Sequence, residues 1–451
     1  MTEFATSARQ ALGDGHLQGA LDLGTERLMA NRERAWGELA DVEALRERAR
    51  EIRSRTIASL DEHLDAFQAA FEAHGGHVFR AQNAAQANAY VVEVCTRVGA
   101  TKAVKSKSMA TEEIGLNAAL EGAGVRPVET DLGEYLLQLA GKHPAHIVAP
   151  AIELTLEECA RLLSQVEGEQ LPADRTALVT AARRQLREDF RTAEVGITGA
   201  NFGVAETGSI VLATNEGNGR LVSALPRVHI AVMGMERLVP SLAELAVLLQ
   251  LLGRSGTGQA LTVYTTLLTG PRRPGESDGP EESHVVVLDN GRSRLRGGRY
   301  ESMLACIRCG ACLNVCPVYR KAGGTSYSDV YSGPMGAVLL PLLHGLEGTK
   351  ALPHASSLCG ACTAACPVKI PLHELLIELR KDLVGSGVAS PLERLGFTLW
   401  SLAWSRPRLY RLSTRLARLG QPFGRLFGPG KTWSAGRELP KLARRRYRDR
   451  R

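Results

Sequence analysis

Cys306-Ile307-Arg308-Cys309-Gly310-Ala311-Cys312-Leu313-Asn314-Val315-Cys316-Pro317 spaces four cysteines as C-x2-C-x2-C-x3-C ahead of a proline. This is ferredoxin spacing, in which three cysteines wrap one iron–sulfur cluster and the fourth reaches the other cluster of a pair. A second group is therefore expected downstream, and Cys359, Cys362 and Cys366-Pro367 supply it as C-x2-C-x3-C-P. The x3 spacing carries the fourth cysteine onto the start of a helix that points away. Cys306, Cys309, Cys312 and Cys366 are thus expected to hold one [4Fe-4S] cluster, and Cys316, Cys359 and Cys362 the other. Ser356 stands where a full second motif would begin with cysteine. The second cluster is then either a three-iron cluster or a four-iron cluster with a non-cysteine ligand. Structural zinc also uses C-x2-C pairs, but it takes four ligands from two pairs, and this run does not divide that way.

Working outward, the 451 residues can hold two or three domains, and a hydrophobic content of 44% with 23% charged residues suits a globular chain. Of nine cysteines, Cys95 and Cys159 stand outside the motifs and read as small apolar residues. Thiolates free to bind iron imply a reducing compartment, so a cytoplasmic location is expected. No secretory signal is read, and no apolar run approaches the length of a bilayer span. The net charge of +7 is a property of the C-terminus: Pro391–Arg451 carries sixteen Lys or Arg against three Asp or Glu, while the rest carries 39 against 45.

The expected parts are a leader and helix (1–74), an α/β domain with a largely parallel sheet (75–295), a helical two-cluster ferredoxin-type domain (296–385) and a basic C-terminal region (386–451). Residues 1–30 read as a loosely docked leader. From Asn31 to about His74, alternating charges with Leu39, Val42, Leu45 and Ile52 read as helix packed on its own domain, ended by Gly75-Gly76. Lys102–Lys105, Arg126–Glu129, His146–Ala149, Ile210–Ala213, Val228–Val232 and Val285–Leu288 read as strands, and Ala110–Gly122 and Leu132–Leu139 as helices. Thr155 and Ser241, each followed three residues later by glutamate, fit capping boxes. In the cluster domain, Tyr331–Gly336 reads as a turn before an apolar helix, Ala337–Leu343. Leu372–Val384 reads as a helix with His373 solvated.

Candidate ligand residues flank the Ile210–Ala213 strand: Glu206, Thr207, Gly208 and Ser209 before it, Asn215, Glu216, Asn218 and Arg220 after it. At the end of a parallel strand they would face the crevice where open sheets bind ligands, and Lys105 and Lys107 would meet an anionic group there. The alternative is a hydrogen-bonded turn. No G-x-G-x-x-G, G-x4-G-K-[ST], H-E-x-x-H or G-x-S-x-G occurs. In the basic tail, Trp400 and Trp404 are expected to pack on a partner or on the cluster domain. Its arginines, ending in the Arg444–Arg451 run, suit a membrane surface, an acidic partner or a solvated tail.

Together these motifs resemble the lactate utilisation protein B family, the iron–sulfur subunit of a bacterial L-lactate oxidation system. The resemblance runs from about residue 30 to 445. It rests on Gly75-Gly76-His77-Val78, Ala205–Ser209, Asn215–Asn218, Asn290-Gly291-Arg292, Cys306–Pro317, Tyr331–Gly336 and Ser357–Cys362 with Cys366–Ile370. The three-cysteine second motif belongs to that family's pattern. The resemblance implies an electron-transfer subunit for oxidation of L-lactate to pyruvate and an α/β domain like sugar-phosphate isomerases and CoA-transferases. It also implies partner subunits, with a peripheral membrane contact or a quinone-linked acceptor in reach, and leaves open which chain oxidises lactate. Two alternatives share part of the evidence: an electron carrier for another 2-hydroxy acid such as glycolate, and an iron–sulfur nucleic-acid-binding protein using the Arg-rich tail. The acidic balance of residues 1–390 disfavours the second.

Overall fold

Valine and isoleucine recur without polar alternation in the segments that become central strands, as they must where both faces of a sheet are covered. The computed structural model describes residues 3–327, 330–388, 391–424 and 443. In chain order the strands are β1 (His77–Ala81), β2 (Lys102–Lys105), β3 (Arg126–Glu129), β4 (Val195–Gly199), β5 (Phe202–Val204), β6 (Ser209–Thr214), β7 (Val228–Gly234), β8 (Leu238–Val239), β9 (Tyr264–Leu268) and β10 (Glu282–Leu288). One sheet has the order β1-β10-β7-β4-β2-β3 and is parallel throughout. Successive residues of its central strands serve opposite faces. Ile230, Val232, Val286 and Leu288 pack with Ala87, Val91 and Val94, whereas Ala231, Met233, Val285 and Val287 pack with Leu64, Phe67 and Phe71. Each large apolar side chain so buried stabilises the fold by roughly 1.5–3 kcal/mol.

A second, smaller sheet has the order β8-β5-β6-β9, with β6 antiparallel to both neighbours. Ile210–Ala213 is therefore a strand, as expected, but it lies outside the parallel sheet. Phe202, Val204 and Val211 of this sheet share one apolar core with Leu21 and Ile52 of the N-terminal helices and with Leu313, Met335 and Leu339 of the cysteine region. That shared core belongs to the first of two compact units, Met1–Lys381; the second is Asp382–Arg451.

Several expectations need correction. Residues 1–30 do not form a loose leader: helices Glu3–Gly13 and Gly15–Gly37 fill them, and Leu21 and Thr25 are fully buried. The expected helix Ala110–Gly122 is two, Met109–Glu113 and Leu116–Gly122, because Gly115 adopts a left-handed φ of 62°. His146–Ala149 is not a strand. There the His146 Nδ1 accepts from the backbone N–H groups of Val148 (3.0 Å) and Ala149 (3.2 Å), which takes the donors a ladder would need. Tyr331–Gly336 is only partly a turn, since the helix Gly333–His344 begins inside it with Pro334 in its first turn. At Thr155 the capping box closes in both directions; at Ser241 the Glu244 carboxylate pairs with Arg55 at 2.5 Å.

In the second unit, Pro391–Ser405 and Pro407–Gly424 are helices. Trp400 and Trp404 lie against each other at 5.3 Å with their rings tilted by 31°, Tyr410 packs 5.4 Å from Trp404, and both tryptophans remain more than half exposed (54% and 52%). The Arg444–Arg451 run lies outside the described residues. Among the described residues, no helix is long and apolar enough to cross a membrane.

Candidate metal centre

The two cysteine motifs fold as a structural repeat. Gly310 and Gly360 take left-handed φ values of 79° and 80° and open the short helices Ala311–Asn314 and Ala361–Ala365. Two residues before each glycine, Arg308 and Leu358 are also left-handed (59° and 56°), a conformation that costs a non-glycine residue about 1–3 kcal/mol and persists only where the surroundings impose it. The Arg308 N–H donates to the Cys306 Sγ at 3.4 Å, and the Leu358 N–H donates to the Ser356 Oγ at 3.1 Å. Ser356 thus stands in the repeat where Cys306 stands in the first motif.

Cys306, Cys309, Cys312 and Cys366 line one small cavity, walled by Ile147, Met335, Val368, Ile370 and Leu372. Burial pushes the Cys309 thiol up to about 12 and Cys366 up to about 11, with Cys306 adding to both. Cys316 and Cys362 are buried near Cys359, which is exposed. Thiols displaced upward in this way stay protonated as free groups at neutral pH, whereas a metal cluster would hold them as thiolates. Backbone N–H groups already point at two further sulfurs, Ile370 at Cys366 (3.3 Å) and Tyr319 at Cys316 (3.5 Å). A buried all-sulfur donor set with N–H groups aimed at it fits iron–sulfur ligation. Among the described residues, no three His, Cys, Asp or Glu side chains are grouped for a single metal ion. His373 is half-buried and not among these sulfurs; its Nδ1 lies 2.7 Å from the Thr363 Oγ1.

The carbonyls of these loops are held by arginines to which the sequence reading gave no role. Arg46 donates to the Cys366 carbonyl at 2.7 Å and to Ala364 at 2.9 Å, and Arg32 reaches Ala365 at 3.3 Å. Arg237 donates to the Cys306 carbonyl at 2.9 Å. Arg53, fully buried, donates to Leu304 (3.0 Å), Ala305 (3.3 Å), Leu238 (2.6 Å) and the carbonyl of Glu236. A sequence signal existed: Arg46 and Arg53, seven apart, share a helix face with buried Ala49.

The α/β candidates separate into two groups. Lys105 is buried and committed to Glu129 (2.5 Å), Glu112 and Asn117. Glu206 accepts from the Leu242 N–H at 3.1 Å, while the Thr207 and Ser209 hydroxyls bond each other at 2.8 Å. Gly208, at φ 66°, lies so close to the neighbouring helix that a Cβ would stand 2.3 Å from the Phe71 nitrogen. Glu206–Ser209 is thus a packed hairpin turn. Gly208→Ala should cost at least ~2 kcal/mol from strain plus overlap, seen as a lowered urea midpoint. Arg220 lies over the Tyr264 ring at 5.6 Å.

Lys107, Asn215, Glu216 and Asn218 do meet, lining a cavity of about 300 Å³ at the C-terminal ends of β2, β4 and β7. Arg237, Arg308, Cys309 and Tyr331 line it too, so it borders the cysteine loop. Beneath it, Arg292 pairs with Glu113 (2.6 Å) and Glu236 (2.8 Å), and Tyr331 donates to Glu113 at 2.6 Å. Nearby, burial pushes the Glu134 carboxyl up to about 8, and its Oε1 has no hydrogen-bond partner. A carboxyl whose pKa is higher folded than unfolded binds more protons when folded. Its contribution is therefore lost as pH rises from about 4.5 to about 8. Glu134→Gln should gain stability over the parent at pH 8 but not at pH 4, read from urea midpoints at the two pH values.

A LUD domain family matches residues 64–288, a 4Fe-4S dicluster domain family matches 302–370, and a family described as lactate utilisation protein B, C-terminal, matches 378–451. The chain is 48% identical to "Lactate utilization protein B" of Shouchella clausii over 454 residues, covering 99% of this chain and 96% of that protein. The proteins of the same name from Bacillus velezensis and Geobacillus kaustophilus are also 48% identical, over 459 and 455 residues, with the same coverage.

Proposed function

The chain belongs to the lactate utilization protein B family, and we propose on that premise that it passes electrons from oxidation of L-lactate to pyruvate through two clusters held by its seven motif cysteines. It is an iron–sulfur electron-transfer subunit linked to lactate utilisation, with a 4Fe-4S dicluster domain over residues 302–370. In this reading Cys306, Cys309, Cys312 and Cys366 hold a [4Fe-4S] cluster. Cys316, Cys359 and Cys362 hold the second, with Ser356 beside it. When bound, the clusters supply one-electron steps that divide a two-electron oxidation.

The chain's own contribution is positional. The observation that carries the reading is that Cys366, from the second motif, lines the same cavity as three cysteines of the first. Arginines 32, 46, 53 and 237 hold the loop carbonyls and place positive charge near the sulfurs, which favours the reduced, more negative cluster. Ile147, Met335, Val368 and Ile370 keep water away. Exposed Cys359 marks the end where electrons would pass to or from a partner subunit.

Residues 75–295 are then the α/β body, for which we keep the likeness to sugar-phosphate isomerase and CoA-transferase folds, and 296–385 carry the clusters. For 386–451 we infer a docking role toward partner subunits or an anionic membrane surface, in a cytoplasmic protein. Exposed Leu395, Phe397, Trp400, Leu412 and Leu416 alongside the tail's arginines support it. Iron and sulfide analysis with low-temperature EPR on anaerobically prepared protein, oxidised and then reduced, tests the cluster assignment. Two distinct cluster signals are expected; zinc with negligible iron and sulfide would overturn it. Growth of a deletion strain on L-lactate and on glycolate separates the two substrates.

A further inference from the structure

Most charged groups around the 300 Å³ cavity are already engaged. Arg292 is held by Glu113 and Glu236, and Arg237 by the carbonyls of Cys306 and Ile307. The carboxylates on its wall are engaged as well. Asp131 accepts from the Gly133 and Glu134 N–H groups at 3.1 and 3.2 Å, and Glu216 accepts from the Leu132 N–H at 3.3 Å, all at the start of helix Leu132–Ala140.

Two cations on the wall keep donors free. Lys107 makes no direct hydrogen bond or ion pair among the described residues, although the charges of Asp131, Glu134 and Glu216 reach it from farther off. The Nη1 of Arg308 is buried with no hydrogen-bond partner, while its Nη2 reaches Glu236 at 3.4 Å. A buried charged donor left unmatched is costly, so the Arg308 Nη1 beside this cavity calls for an acceptor there, and the half-buried Lys107 ammonium lines the same space. The Arg308 guanidinium lies over the Tyr331 ring at 5.0 Å, on the wall of the cavity.

We propose that this cavity binds a small carboxylate of the 2-hydroxy or 2-oxo acid class, with Lys107 and Arg308 donating to the carboxylate. The volume is at the lower end for ligand pockets, which suits a molecule of few atoms. Ile147, Val148 and Leu212 offer an apolar wall for a short carbon chain, and the free amide N–H groups of Asn201, whose Oδ1 accepts from Ala213, can meet a hydroxyl or keto oxygen. The position, at the C-terminal ends of parallel strands, is where open α/β sheets bind ligands. Burial pushes the Lys107 ammonium down, and a bound carboxylate would offset that cost. The choice of acid rests on the lactate-linked reading above, but binding itself does not depend on the clusters. Cys309 on the cavity wall would place such an acid beside the first cluster.

The test is anaerobic titration calorimetry of the full chain, its iron content and EPR recorded beforehand, with L-lactate, pyruvate and inorganic phosphate as separate probes. One saturable site is expected for at least one of the two acids. Lys107→Met should weaken it by roughly tenfold or more, as loss of a charged hydrogen bond requires, with iron content and EPR spectra matching the parent. Lys107→Arg should restore part of the affinity. No saturable binding of either acid, equal binding by Lys107→Met, or phosphate binding as tightly as the acids would each overturn the proposal. Missing clusters in the parent protein would instead count against the cysteine assignment and leave the titration readable.

Discussion

Replacing Cys366 by serine should remove the cluster of Cys306, Cys309 and Cys312 and spare that of Cys316, Cys359 and Cys362, although Cys366 is nearer in sequence to the latter two. Cys366 lines the cavity with the first three sulfurs, and Cys306 is the sulfur that adds to its displacement, not Cys359 or Cys362. Its sulfur also takes the Ile370 N–H, so a serine would be held in place yet offer a harder, shorter ligand. Low-temperature EPR of reduced protein should lose one signal and retain the other, with iron content falling by about the share of one cluster of a pair. Cys316→Ser should give the complementary loss. If Cys366→Ser abolished only the second signal, the crossed arrangement would be wrong.

Arg53→Met should destabilise the first unit by about 3–5 kcal/mol, the range for stripping one partner from a buried charged network. The guanidinium bonds four carbonyls from two distant segments: Glu236 and Leu238 at the edge of the α/β body, and Leu304 and Ala305 just before Cys306. Burial lowers this guanidinium to about 10, so it stays charged at neutral pH. Methionine fills part of the volume but leaves every one of those carbonyls without its donor. The urea midpoint should fall sharply, and the Cys306 cluster should bleach faster in air. Arg53→Lys should recover little, because an ammonium cannot span the same fork. A midpoint unchanged in Arg53→Met would show that the loop is anchored by other groups.

The distribution of α/β ligand residues shows why sequence reached only part of the site. Glu206–Ser209 and Asn215–Arg220 flank β6 at opposite ends, roughly 20 Å apart for six extended residues. Only the second end reaches the cavity. Assigning β6 to the parallel sheet made both ends seem equivalent, whereas its antiparallel pairing with β5 and β9 turns the first end toward Phe71. Lys105 and Lys107 would share one face of a continuing strand, but β2 ends at Lys105, so Lys105 is held by Glu129 while Lys107, in the loop beyond, lines the cavity. His146–Ala149 misled because its apolar run imitates a strand, while the His146 ring takes two of the backbone donors.

Sequence by itself determined the metal chemistry, because thiol spacing along a short loop is local geometry and needs no distant partner to be read. It also located four of the six parallel strands, most plainly β7 and β10, whose apolar stretches report burial on two faces. Only the tertiary structure decided which arginines are buried against the cysteine loops, that the leader is a packed pair of helices, and which polar residues face the cavity beside Cys309. These depend on contacts between segments hundreds of residues apart, and a charged side chain on a helix carries no local mark of whether water or a carbonyl will meet it.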